Sequence, residues 1–531
     1  MNWARSQASW RSAVAPISRN SASLHETISI VLPQRGLWML QLDIADTVHQ
    51  EKAPTTMRKH TAREYKAKLG QFMTPATVAR FMASRFPPSP LQTCRLLDAG
   101  AGMGTLTCAF LDRWVTGGFG FASVETTAYE VDAHLRDHLA RRLAGYSRAT
   151  SRIIPGDYIQ LATARGLQNQ GYTHVILNPP YKKISSHSAH RLALRRVGIE
   201  TVNLYSAFVA LAVAETAPGG QIVAIIPRSF CNGPYYRPFR DFILARAAIR
   251  HMHLFASRKK PFKGDQVLQE TIIIHLERRG QQGPVTVSTS TDDSFADFVA
   301  HEHPFERIVL PDTPERWIHV PTTTAKSTIE RLGAVGYSLA DLGIQVSTGP
   351  VVDFRMKAHL RPMPEAGAVP LIYPSHLCMS GTVWPVIGSK KPNAINRNAE
   401  TEKWFYPNGF YCAVRRFSSK EEKRRVVASV ADPATFGQHS VLGFENHINL
   451  FHQNKHGLPE TLARGLALFL NTTAVDEQFR RFNGHTQVNA TDLKLMQYPS
   501  REALVQLGEW AMAQGKLTQD QMDARLETLG E

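Results

Sequence analysis

Thr173-His174-Val175-Ile176-Leu177-Asn178-Pro179-Pro180-Tyr181 is a run of strand-forming residues cut off by two prolines. Proline lacks a ladder donor and fixes its own φ, so the spelling predicts a buried strand that stops abruptly in a rigid corner. At that edge of an open α/β sheet, ligands bind. Asn178 and the Pro179 carbonyl offer two acceptors for the two hydrogens of an exocyclic amino group, and Tyr181 offers a flat face for stacking a planar base. An aromatic amine conjugated into its ring is a poor nucleophile. Accepting hydrogen bonds from its NH2 as it pyramidalises stabilises the developing positive charge and needs no strong base. Read alone, Asn178-Pro179-Pro180-Tyr181 is also an ordinary strand-ending turn.

Upstream, Arg95-Leu96-Leu97-Asp98-Ala99-Gly100-Ala101-Gly102-Met103-Gly104-Thr105-Leu106-Thr107 runs from a short apolar strand through a glycine loop into an amphipathic helix. Gly100, Gly102 and Gly104 let the backbone pass close beneath a cofactor, and the helix amino terminus faces it. Asp98 would repel a pyrophosphate but can accept from a cationic or amino-bearing ligand, which favours S-adenosylmethionine over a nicotinamide dinucleotide. Glu130 follows Gly104 by 26 residues, at the end of a second strand, where a carboxylate can take both ribose hydroxyls. Asp157 ends a third strand and suits a cofactor adenine amino group. Asp98, Glu130, Asp157 and Asn178 thus mark four successive strand ends. Before them, Gly70-Gln71-Phe72-Met73-Thr74-Pro75 reads as a loop delivering a helix, with Thr74 as N-cap and Pro75 at the first helical position.

After the corner the alternation continues. A helix opens at Asn203, strands follow over 221–227 and 249–255 with a helix between them over about 236–248, and a last β-branched strand spans 267–276. Phe262, in a basic loop, is placed to cover the far face of an extruded base opposite Tyr181, or simply to pack. Lys182, Lys183, Arg191, Arg195 and Arg196 crowd the corner and suit phosphate contacts. From about residue 281 a linker gives way to short strands and basic loops. Arg415 and Arg416 and the clusters around Lys390 and Lys423 are interleaved with Trp384, Trp404, Phe405, Tyr406, Phe410 and Tyr411, as a groove-reading surface requires and as a core beside a basic face also produces. The amide-rich stretch Asn483-Gly484-His485-Thr486-Gln487-Val488-Asn489 either reads base edges or packs against the amino-terminal half.

With 531 residues, two to four domains are expected, and a net charge of +16 calls for a polyanionic partner, most simply double-stranded DNA. The five cysteines form no CxxC pair, so neither a metal centre nor a disulfide scaffold is expected, and a cytoplasmic location fits. No apolar stretch approaches the length of a membrane span. Residues 1–60 read as a poorly ordered extension.

The GQFMTP, DAGAGMGTLT, YEVD, GDYI and NPPY segments resemble, in sequence and order, the gamma-class N6-adenine DNA methyltransferases within the class I S-adenosylmethionine-dependent superfamily. Including 346–355 and 480–500, the chain is similar to modification enzymes of PstI/BsuBI-type restriction systems over most of residues 60–505. The resemblance implies an α/β, Rossmann-like catalytic domain over 61–280, with a seven-stranded sheet whose last strand is antiparallel. A mixed α+β target-recognition domain over 281–531 would follow. It also implies cofactor contacts at Thr74, Asp98, Gly100, Glu130 and Asp157, and adenine contacts at Asn178, Pro179 and Tyr181. The expected activity is adenine N6 methylation of flipped-out DNA bases by a monomer, with any cognate endonuclease acting separately. N4-cytosine, RNA-guanine and protein-glutamine methyltransferases share the corner, and a nicotinamide oxidoreductase or a DNA-binding specificity protein without activity are further alternatives. Cytosine C5 chemistry is not, since it needs a Pro-Cys pair that the chain lacks.

Overall fold

The computed structural model describes residues 73–530 apart from 168–169, 257–269, 312–314, 327, 332–334, 419–420 and 485. The readings made for the 1–60 extension, for Phe72 and for Phe262 lie outside the described residues.

Helix α1 (Ala76–Ser84) leads to strand β1 (Thr93–Ala99), and then strands and helices alternate. They are α2 (Thr105–Val115), β2 (Ser123–Glu130), α3 (Ala133–Leu143), β3 (Ala149–Pro155), α4 (Tyr158–Ala164), β4 (Tyr172–Leu177), α5 (Ala189–Arg196), α6 (Leu204–Glu215), β5 (Thr216–Pro227), α7 (Arg237–Leu244), β6 (Ala247–Phe255) and β7 (Thr271–Arg278). The sheet order is β3-β2-β1-β4-β5-β7-β6, with β7 antiparallel to both its neighbours. Parallel pairing of β1 with β2 and β4, and of β4 with β5, brings their carboxyl ends to one edge.

Both faces of the sheet are covered, which is why its central strands read as almost unbroken apolar runs. Leu97, Val175, Leu177, Ile222 and Ala224 face one buried cluster with Phe208 and Leu211 of α6, while Leu96, Ile176, Val223 and Ile225 face the other with Phe110 and Leu111 of α2. Helix α6 is buried nearly all round, so its sequence shows no polar stripe.

The sheet carries two further strands beyond the seven expected, β8 (Val285–Ser290) and β9 (Val299–His303). β8 pairs parallel to β6, starting directly after the stretch read as a linker. Gln282 in that stretch stands in for a strand partner, its side-chain oxygen accepting from the Ile249 amide at 2.9 Å and its nitrogen donating to the Ile249 carbonyl at 3.0 Å.

Past β9, short strands form a four-stranded sheet (Gln345–Thr348, Ile448–His452, Tyr411–Arg415, Ala428–Ala431) and a five-stranded one centred on Ala368–Ile372. Helices then return, and Glu460–Leu470 crosses Arg501–Ala513 at glycines: a Cβ on Gly465 would stand 1.7 Å from the Leu504 carbonyl oxygen. The two halves share buried polar contacts. Arg228, just past β5, donates to the carbonyls of Arg480 (2.7 Å) and Arg481 (2.6 Å) and to Glu270 (3.1 Å), and Asn232 donates to Asp492 at 3.1 Å. Among the described residues, no helix is long and apolar enough to cross a membrane.

On β6 and β7, His251, His253 and His275 are buried, bonded respectively to Ser288, to Ser288 and Ser290, and to Gln221. Burial pulls each ring down to about 3. Above about pH 6.5 these rings are neutral folded or unfolded; below it the unfolded chain takes up protons that the fold refuses, so stability falls until the pH approaches 3. Urea midpoints should therefore decline steadily from pH 6.5 to 4.5, and a His253→Gln variant should show a shallower decline. Each refused proton is worth about 1.4 kcal/mol per pH unit.

Candidate active site

The carboxyl ends of β1, β2, β3 and β4 open on a cavity of about 230 Å³. Gly100 and Ala101 donate their amides to the Tyr129 carbonyl at 2.9 and 3.0 Å, which folds the glycine loop back over the end of β2. Gly100, Gly102 and Gly104 have φ of +78°, +57° and +78°, in the left-handed region, and a Cβ on Gly104 would stand 2.5 Å from Leu139 Cδ1. Gly104 occupies the cap position of α2 without a capping side chain, and the helix starts at the cavity wall with Thr105 and Leu106.

The carboxylates differ in what they touch. Glu130 lines the cavity at 3% exposure; one oxygen accepts from the Gly102 amide and the other from the Asp132 amide, both at 2.8 Å. Burial raises its carboxyl above the usual range against those bonds. Asp157 caps α4, with Oδ1 accepting from the Gln160 amide at 2.9 Å and Oδ2 lying 2.8 Å from His190 Nε2. Burial pulls Asp157 upward, but the bonds from His190 and the Gln160 amide outweigh it and hold the carboxyl low. Asp98 sits under the loop and not on the cavity wall. Its Oδ2 accepts from Thr107 at 2.6 Å, its buried Oδ1 has no partner among the described residues, and burial pushes the carboxyl up to about 7.

At the corner, Asn178 and Pro180 line the same cavity, and Pro179 is buried beneath them. Asn178 Nδ2 donates to Thr74 Oγ1 at 2.8 Å. Its Oδ1 is 3.1 Å from the Tyr181 hydroxyl, which is also 3.1 Å from the Ile225 carbonyl. The Tyr181 ring packs edge-on to Tyr205, with centroids 6.2 Å apart, beside the cavity and not on its wall. Thr74 corrects the sequence reading of a helix N-cap: Pro75 takes the cap position without a side-chain bond, and the Thr74 hydroxyl faces the corner. This contact spans 104 residues, so no local pattern announces it.

The stems of residues 182–204 are zipped together behind the corner, with Leu204 donating to the Lys182 carbonyl and Ile184 to that of Val202, each at 2.8 Å. Lys182, Lys183, Arg195 and Arg196 are exposed, and Arg195 is 2.7 Å from Glu200, to which Arg191 is also bonded. Arg415 is 3.4 Å from Glu422, and Arg416 donates to the Asn446 carbonyl at 3.1 Å, knitting loops together. Asn483 is buried against Arg425 and Asp492, and Gly484 packs against Arg228, so this end of the amide-rich stretch faces the amino-terminal half. His190 was not singled out in the sequence, because nothing local sets α5 against the end of β3.

S-adenosylmethionine fits these residues. The loop leaves backbone bare at Gly100 and Gly102, Glu130 retains lone pairs for ribose hydroxyls, and the orphaned Asp98 Oδ1 is a buried acceptor under the cradle. Sheet order and cleft together define a class I S-adenosylmethionine-dependent methyltransferase. Residues 128–262 match the family model described as Eco57I restriction-modification methylase. The chain is 50% identical over 476 residues to the type II methyltransferase M.BsuBI of Bacillus subtilis, an alignment covering 87% of this chain and 94% of that one. To M.PstI of Providencia stuartii it is 43% identical over 452 residues, covering 83% and 88%. The chain belongs to this family of type II methyltransferases. Among solved structures, the type IIL restriction-modification enzyme MmeI in complex with DNA is similar at 9% identity and a TM-score of 0.49, covering 89% of this chain and 72% of that one.

Replacing Glu130 with alanine frees the Gly102 and Asp132 amides and removes a carboxylate from the cavity wall. Titration calorimetry should show S-adenosylmethionine affinity reduced at least tenfold, or about 1.4 kcal/mol.

Proposed function

We propose that this protein is a site-specific DNA adenine N6-methyltransferase, the modification arm of a type II restriction-modification system. The reading rests on the placement of Asn178 on the wall of the cavity that Glu130 and Asp157 also line, so an amino group bonded to Asn178 sits beside the cofactor. DNA as substrate is supported by the chain's family, its charge of +16 and the exposed Lys182, Lys183 and Arg196 beside the corner.

The amino group of a paired adenine is buried in the duplex, so the base leaves the helix to react. Asn178 Oδ1 and the Pro179 carbonyl accept from its N6 hydrogens, and the Thr74 hydroxyl, by accepting from Nδ2, keeps the amide oxygen turned towards the base. The Tyr181 hydroxyl lets go of Asn178 Oδ1 as the base arrives, and the ring supplies a stacking face. Glu130 holds the ribose and Asp157 the adenine of the cofactor, while Asp98 lies beneath the glycine loop, bonded to Thr107. S-adenosylmethionine, when bound, supplies an electrophilic methyl group. The protein contributes position and acceptors aimed at the charge that develops on N6, and no residue need act as a strong base.

Mass spectrometry of nucleosides from DNA treated with the protein and cofactor should reveal N6-methyladenine; N4-methylcytosine instead would overturn the assignment to adenine. Asn178→Ala should lower kcat by about a hundredfold or more at unchanged DNA affinity. Tyr181→Phe, which keeps the ring and removes the competing hydroxyl, should retain far more activity than Tyr181→Ala. Thr74→Val should lower kcat while Thr74→Ser preserves it.

A further inference from the structure

Residues 182–204 leave the corner and return to it as one excursion, closed at its base by the backbone pairing of 182–184 with 202–204. The excursion carries α5, whose first turn is capped by the Ser188 hydroxyl on the Arg191 amide. Arg191 and Arg195, on the same helix, are bonded to Glu200 within the excursion. His190, on the same helix, reaches across to the start of α4, with Nε2 at 2.8 Å from Asp157 Oδ2, and both residues line the cavity. Oδ1 is held by the α4 cap and Oδ2 by His190, so the two bonds together fix where the carboxylate points.

We propose that His190 is a positioning residue for cofactor recognition: it latches the excursion onto Asp157 and orients that carboxylate towards the amino group of the cofactor adenine. This rests on the assignment of Asp157 to the adenine. Each carboxylate oxygen has two lone pairs, so Oδ2 accepts from His190 and from the adenine together. A charge-assisted bond is shorter and about twice as strong as a neutral one, so the latch is firmest when His190 is protonated. The titratable groups facing His190 are Asp157, whose bond raises the imidazole above its ordinary value, and Lys182, which opposes it weakly; Glu130 lines the same cavity. Because the latch ties the excursion to the cofactor site, cofactor binding also steadies the basic residues beside the corner.

Titration calorimetry of S-adenosylmethionine into the full chain, without DNA, tests this. His190→Ala should weaken binding about tenfold, while kcat at saturating cofactor changes less than twofold. Wild-type affinity should fall about threefold as pH rises from 6.5 to 9, and His190→Gln, whose amide donates at every pH, should bind within about threefold of wild type with a flat profile. Unchanged affinity and pH profile in His190→Ala would overturn the proposal, as would an equal weakening in His190→Gln. Asp157→Ala separates the premise: if it binds the cofactor as wild type does, the adenine assignment of Asp157 fails, whatever His190 shows.

Discussion

Parallel pairing delivers β1 to β5 to one edge of the sheet, and the site depends on that constraint. The register of β1 with β2 sets Asp98 opposite Ala128 and Ala99 opposite Tyr129. The glycine loop leaving β1 can therefore hand its amides to the Tyr129 carbonyl and the Glu130 carboxylate. Slipping the pairing by one residue would turn Glu130 to the opposite face and leave the Gly102 amide unpaired. The loop's shape, the position of Glu130 and the start of α2 are thus one arrangement.

Electrostatics divides labour along that edge. Two carboxylates lose solvent and are held by different means, Glu130 by two amides and Asp157 by a helix cap and an imidazole. Asp98, off the cavity wall, is bonded to Thr107, and among the described residues its Oδ1 has no hydrogen-bond partner. A buried acceptor without a partner costs folding free energy of roughly 1–3 kcal/mol.

Much of this was legible because buried parallel strands announce themselves as apolar runs, and the polar residue that ends each run then stands at the functional edge. Glu130, Asp157 and Asn178 were found in that way, and all three line the cavity. Contacts between side chains distant in sequence were not legible. Thr74 and His190 reach partners 104 and 33 residues away, and only the folded sheet sets them together. Strands β8 and β9 escaped because Val285–Ser290 reads as short and polar; its serines are buried all the same, since histidines on β6 need hydroxyl partners.

Arg228 has a bearing on how the molecule moves. Its guanidinium, almost out of water, grips two main-chain oxygens at the tail of the helix Thr473–Phe482, while three residues earlier, near the end of β5, the Ile225 oxygen touches the phenol of Tyr181. A hinge there would break both of those charge-assisted bonds and leave the guanidinium with Glu270 alone among the described residues. The carboxyl-terminal half is accordingly welded to the end of β5 behind the Asn178 corner, and a twist imposed on it reaches the phenol through residues 225–228 alone.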